Sequence, residues 1–136
     1  MKKQMLCIGL LSVTILSTEL FWTRLFSAEF YYTFAFLVLS LAVLGLGLGA
    51  LFFTMVLRIK GARLLPLWLS LTGLMIVAAV PIVFSLNLDF AQLVSDPMQS
   101  VKLLAAILVL GSGYFFGGIA LAQILKTNAG DIPRLY

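Results

Sequence analysis

A carboxylate closing an apolar run, a second pair of carboxylates and a glycine-rich hexapeptide are the features of this chain whose types and spacing could do chemistry. Glu19 and Arg24 end an otherwise uncharged stretch near the start. An acid inside a membrane span is costly and marks proton coupling or cation binding by default, so Glu19 and Arg24 are the candidate ligand-binding residues. Counted from Lys3 at about 1.5 Å per residue, Glu19 lies about 24 Å along a helix, against a hydrocarbon core of about 30 Å. That count predicts a position near the far interface. Arg24 follows five residues later, about 140° around the helix, so the two make no i,i+4 pair and each needs a partner on another helix or in water. Asp89 and Asp96 could work as acid and base, but no third group accompanies them, and they read with Glu29 as solvated loop positions. Gly45-Leu46-Gly47-Leu48-Gly49-Ala50 matches G-x-G-x-x-G/A through Gly45, Gly47 and Ala50. That dinucleotide fingerprint requires a preceding strand, whereas these glycines lie inside a 28-residue apolar run. The nucleotide reading is excluded.

The rest of the composition narrows the chemistry further. The 136 residues include no histidine and one cysteine, Cys7. Histidine bases, the serine–histidine triad, histidine-held metals and disulfide frameworks are therefore excluded, and neither a metal nor a cofactor is expected. Hydrophobic residues make up 62% and charged residues 10%, with mean hydropathy +1.15. Soluble domains run near 45–50% and about 25%, so the chain belongs in a bilayer, and by itself it is not expected to catalyse. The net charge of +4 sits at the ends of the apolar runs, as membrane topology requires, and no nucleic-acid partner is expected.

Four uncharged stretches must position these residues: 4–18, 30–57, 64–88 and 103–125. A spanning helix needs about 20 apolar residues, which the last three supply and the first reaches by continuing to Trp22. The fold expected is all-α and integral to the membrane. One domain, 1–136, holds transmembrane helices at about 4–22, 30–57, 64–88 and 103–125, followed by a cytoplasmic tail, 126–136. Lys2 and Lys3 before a short apolar run resemble a signal peptide, but no small-x-small cleavage site follows, and an uncleaved first helix is expected. Seven basic residues (Lys2, Lys3, Arg58, Lys60, Arg63, Lys126 and Arg134) fall on one side of the spans, and Arg24 and Lys102 on the other. Both termini should be cytoplasmic. Short connections at about 23–29, 58–63 and 87–100 imply antiparallel neighbours in an up-down-up-down bundle. The short loops and lack of sorting signals suggest a bacterial inner membrane.

Phe21, Trp22 and Phe30-Tyr31-Tyr32 are expected in an interfacial aromatic belt. Pro66 should open the third helix and Pro81 should kink it. Gly45 with Gly49 and Gly113 with Gly117 form G-x-x-x-G faces, which bring helices two and four together or join two copies. Partners should thus be the bilayer and other transmembrane helices.

Glu19-Leu20, Arg24-Leu25-Phe26-Ser27, Phe34-Ala35-Phe36-Leu37, Leu44-Gly45-Leu46-Gly47-Leu48-Gly49 and the closing Gly130-Asp131-Ile132-Pro133-Arg134-Leu135-Tyr136 together resemble the membrane-embedded N-terminal region of spermidine synthase-like proteins, the polyamine aminopropyltransferase family. The likeness extends over nearly the whole chain, with Pro133 in place of a small residue. It implies that Glu19, Arg24, Arg134 and Tyr136 are family positions for fold or assembly. It also implies that the soluble Rossmann-like domain that transfers the aminopropyl group is missing here, and that this is a fragment of a longer frame. The function expected is a non-catalytic membrane module that anchors or assembles with a catalytic domain. The alternatives are a small dimeric four-helix transporter of cationic compounds and a regulatory subunit whose glycine faces bind a partner helix.

Overall fold

The computed structural model describes residues 2–29, 33–57, 64–88 and 96–127. Every element there is helical: α1 (Lys2–Glu29), α2 (Thr33–Phe52) continuing into a π-helical turn (Phe53–Leu57), α3 (Leu65–Ser85) and α4 (Pro97–Thr127). All four α-helices are long and apolar enough to cross a membrane.

Local chemistry explains where each helix stops and where the expected bounds shift. α1 runs past Trp22 to Glu29 because Thr23–Glu29 contains neither proline nor glycine and because Phe26 is buried. The connection expected at 23–29 is therefore helix. α3 ends before Leu88: Asn87 adopts φ 43°, the left-handed geometry that stops a helix, and its N–H donates to the Phe84 carbonyl. Pro66 stands in the first turn of α3, where a missing N–H costs nothing, and the helix continues through Pro81. α4 starts earlier than Leu103. Asp96 caps it, its Oδ1 accepting from the Met98 N–H at 3.0 Å, and Pro97 opens the first turn. Asp96 is thus a helix cap rather than a free loop carboxylate. The Phe30-Tyr31-Tyr32 belt, Arg58, Lys60, Arg63, Asp89 and the tail from Asn128 to Tyr136 lie outside the described residues.

α4 is the hub. It packs against α1, α2 and α3, whereas the consecutive helices α2 and α3 scarcely touch. Residue numbers rise together along the α2–α4 seam, Gly45 facing Gly111 and Tyr114 and Gly49 facing Phe115 and Ile119. They run oppositely along α3–α4, Ile76 facing Gly113 and Thr72 facing Gly117. Two apolar layers fill the interior. One holds Trp22, Phe26, Val38, Ala79, Val83, Ala106 and Leu110; the other holds Leu11, Ile15, Ala42, Tyr114 and Ala120. Trp22 is 1% exposed and belongs to the core, not to the interfacial belt, because the longer α1 carries it inward. The outward faces are apolar too: Val77 is 72% and Leu108 65% exposed. Surfaces of that kind are unstable in water and natural against lipid tails or other helices.

Candidate functional site

Leu11, Ile15, Trp22 and Phe26 mark the buried stripe of α1 at alternating four- and seven-residue steps. Glu19 falls on that stripe, four residues after Ile15 and three before Trp22, and is half-buried. Ile15 meets Gly117 of α4. One turn further along α1, Glu19 comes level with the turn of α4 that carries Gly113 and Tyr114.

Tyr114 is a polar residue buried inside the bundle. It is 2% exposed, sits in the apolar layer with Leu11, Ile15 and Ala42, and its Oη has no hydrogen-bond partner. It packs against Gly45, the middle residue of α2's candidate span (Ala35–Met55), and Ile76 beside Gly113 is near the middle of α3. The stretch of α1 apolar enough to cross a membrane runs from Leu6 to Ala28, past the Trp22 bound expected from the sequence.

Arg24 is exposed and lines a groove of about 360 Å³ with Thr23, Ser27, Ala35, Phe36 and Leu39. Among the described residues, Glu19 and Arg24 make no ion pair with each other, as their angular separation predicts. Trp22 joins Phe21 and Phe26 in edge-to-face contacts with ring centroids 5.4 and 5.9 Å apart. The span hydroxyls are self-contained: Thr14, Thr18, Ser40 and Thr72 each donate to the carbonyl four residues back, at 2.7–2.9 Å.

The glycines divide by partner. A methyl group added at Gly45 would lie 2.7 Å from Tyr114 Cβ and 3.1 Å from the Gly111 carbonyl oxygen. At Gly49 it would fall on the Phe115 carbonyl oxygen, and at Gly118 on that of Leu46. Gly45 and Gly49 therefore form the α2 side of a close backbone contact, completed on α4 by Gly111 and Gly118. Gly113 and Gly117 turn elsewhere, toward Ile76 of α3 and toward Ile15 and Thr72. Gly45, Gly47 and Ala50 lie within a continuous helix, so the dinucleotide fingerprint is absent in structure as well as in context.

Tyr114 escaped the sequence reading because nothing near it in the chain is charged. The signal was nonetheless present: it is the one tyrosine in the uncharged run 103–125, and such a hydroxyl must find a partner or go without. Arg134 and Tyr136 lie outside the described residues, and of Glu29 only the backbone position is described.

Comparison with protein-family models, with curated proteins and with solved structures gives no match for this chain.

Proposed function

We propose that this chain is a multi-pass membrane module akin to the N-terminal region of spermidine synthase-like proteins, serving to anchor or assemble a catalytic domain that these residues do not contain. The observation that carries the reading is the α2–α4 seam. Backbone-to-backbone contact through Gly45, Gly49, Gly111 and Gly118 makes a rigid helical unit whose outer faces stay apolar and free to meet lipid or further helices. The Glu19-Leu20 and Arg24-Leu25-Phe26-Ser27 elements and the closing Asp131-Ile132-Pro133-Arg134-Leu135-Tyr136 supply the likeness.

In this reading the helices run up-down-up-down with both termini cytoplasmic, in a bacterial inner membrane. The direction of the contacts along α2–α4 and α3–α4 supports the alternation, and the seven-to-two distribution of basic residues supports the orientation. The test is the intact mass of the protein expressed from its own locus. A mass well above 14.9 kDa, with the extra sequence forming a Rossmann-like domain, is expected. A product of 14.9 kDa that co-purifies with no larger subunit overturns the proposal.

A second reading, a small dimeric transporter of cationic compounds, draws support from the half-buried position of Glu19 on the inward stripe of α1. Reconstituted protein would then quench a pH-sensitive dye when a cationic compound is added, and Glu19→Gln would abolish the response. Equal responses from the two proteins sink that reading.

A further inference from the structure

The groove between the end of α1 and the start of α2 sets a cation beside an apolar wall. Thr23, Arg24 and Ser27 line it from α1, and Ala35, Phe36 and Leu39 line it from α2. Each set contains i,i+3 and i,i+4 pairs, the spacing of neighbours on one helix face. Trp22, Phe26 and Val38 pack together on the inner side of the same two helices, which holds the walls in place. The volume is about 360 Å³, and ligand clefts run from about 300 to 1,000 Å³.

The polar wall is unpaired. Among the described residues, Arg24 makes no ion pair or side-chain hydrogen bond, and neither do the hydroxyls of Thr23 and Ser27. Thr14 and Thr18 of the same helix, by contrast, donate to carbonyls one turn back. The nearest acid in sequence with a described side chain, Glu19, points about 140° away around α1, and Asp96 is engaged in capping α4. The apolar wall is equally open, since Phe36 and Leu39 are exposed. Position adds a further constraint. Ser27 is the last residue but one of the α1 stretch apolar enough to cross a membrane, and Ala35 is the first of the α2 stretch. Spanning helices meet lipid headgroups at such ends, and a long basic side chain there reaches toward the interface.

We propose that this groove binds an anionic phospholipid, its phosphate held by Arg24 and Ser27 and one acyl chain laid along Phe36 and Leu39. The planar guanidinium donates two N–H bonds to phosphate oxygens, and the Ser27 O–H donates a third. Thr23, one turn further into the span, donates to the ester carbonyl of the chain. The uncompensated charge of Arg24 selects a lipid of net negative charge over a zwitterionic one. The site requires neither a catalytic domain nor a transported substrate, so it stands apart from both readings of the chain's function.

Native mass spectrometry of the full chain, released from vesicles of equal phosphatidylglycerol and phosphatidylcholine, tests it. Wild type should retain phosphatidylglycerol over phosphatidylcholine by about fivefold, the preference that one interfacial cation supplies. Arg24→Gln should bring the two lipids to parity; it removes a charge from the span and so inserts at least as readily as wild type. Leu39→Trp fills the groove with the charge untouched and should also abolish the preference. Lys102→Gln is the control: α2 and α4 run in the same direction, so Lys102 stands at the same end of the bundle, but it does not line the groove. It should keep the wild-type ratio. Parity in wild type, or an equal loss in Lys102→Gln and Arg24→Gln, overturns the proposal. So does displacement of the lipid by millimolar inorganic phosphate, which would make the groove a site for a free anion.

Discussion

Replacing Gly49 by alanine is the sharpest probe of the helix seam. The added methyl group lands on the Phe115 carbonyl oxygen, with the Ile119 nitrogen 3.0 Å and the Gly118 Cα 3.1 Å away. All three obstacles are backbone, so no rotamer change can relieve them. Non-bonded carbon pairs prefer about 3.5–4.0 Å, so α2 and α4 must part by close to 1 Å, and a gap of 0.5–1 Å forfeits about a quarter to a half of each contact's attraction. Overpacking of this kind costs about 1–3 kcal/mol. Gly47, two positions from Gly45 and from Gly49, meets nothing within 4 Å and serves as the control. Unfolding in mixed micelles, followed by tryptophan fluorescence, reads the difference, since Trp68 stacks on Phe116 at 6.1 Å and Phe116 adjoins Phe115. Gly49→Ala should unfold about 1–3 kcal/mol more easily and Gly47→Ala within about 0.5 kcal/mol of wild type. Adding Gly118→Ala to Gly49→Ala should cost less than the sum of the two, because the helices have already parted. Equal stability of Gly49→Ala and Gly47→Ala refutes the argument.

Further outcomes follow from other contacts. Tyr114→Phe removes a buried hydroxyl without a partner and should stabilise the bundle by about 1 kcal/mol in the same unfolding assay; destabilisation would mean that the hydroxyl is paired. Asp96→Ala should cost about 0.5–2 kcal/mol of helix-end stability, visible as faster amide exchange at Met98 and Gln99. Lys126, whose Nζ lies 5.4 Å from the Phe53 ring centroid, should contribute about 0.5–1 kcal/mol, lost in Lys126→Met and retained in Lys126→Arg. In a Cys7→Ser background, cysteines at Lys102 and Lys126 should react with an impermeant maleimide from opposite sides of the membrane; labelling from one side refutes the alternating topology.

The helices were legible because apolar runs of more than twenty residues leave a chain few other options in a bilayer. Their ends were harder to place. Asp96-Pro97 carried a cap and first-turn signature, hidden by the assumption that acids outside a span are solvated. The helical stretch Thr23–Glu29 was obscured by its polar residues, although it lacks any residue that breaks a helix. At the site, sequence identified Glu19 but not its place on the inward stripe of α1, because that depends on which residues of the other helices stand opposite. The glycine faces were half legible. Gly45 and Gly49 face α4 as their spacing suggests, but α4 presents glycines on several sides, and only the register of α2 against it selects Gly111 and Gly118 over Gly113 and Gly117. Tyr114 is the extreme case: its burial is set by Gly45 and Ala42 of α2, about seventy residues earlier.

The hub position of α4 has a consequence for how the protein is made. During synthesis α1, α2 and α3 leave the ribosome before α4, and of these only α1 and α2 pack extensively together. Until α4 arrives, the glycine groove of α2 is open and α3 has almost nothing to hold. The first three helices must therefore wait in the bilayer, or against the insertion machinery, as a hairpin and a lone span. Delivery of α4 then supplies the contacts that hold α2 and α3 in one bundle. Quality control has a simple criterion in such a protein, since a nascent chain that stalls before α4 exposes the seam that the finished fold conceals.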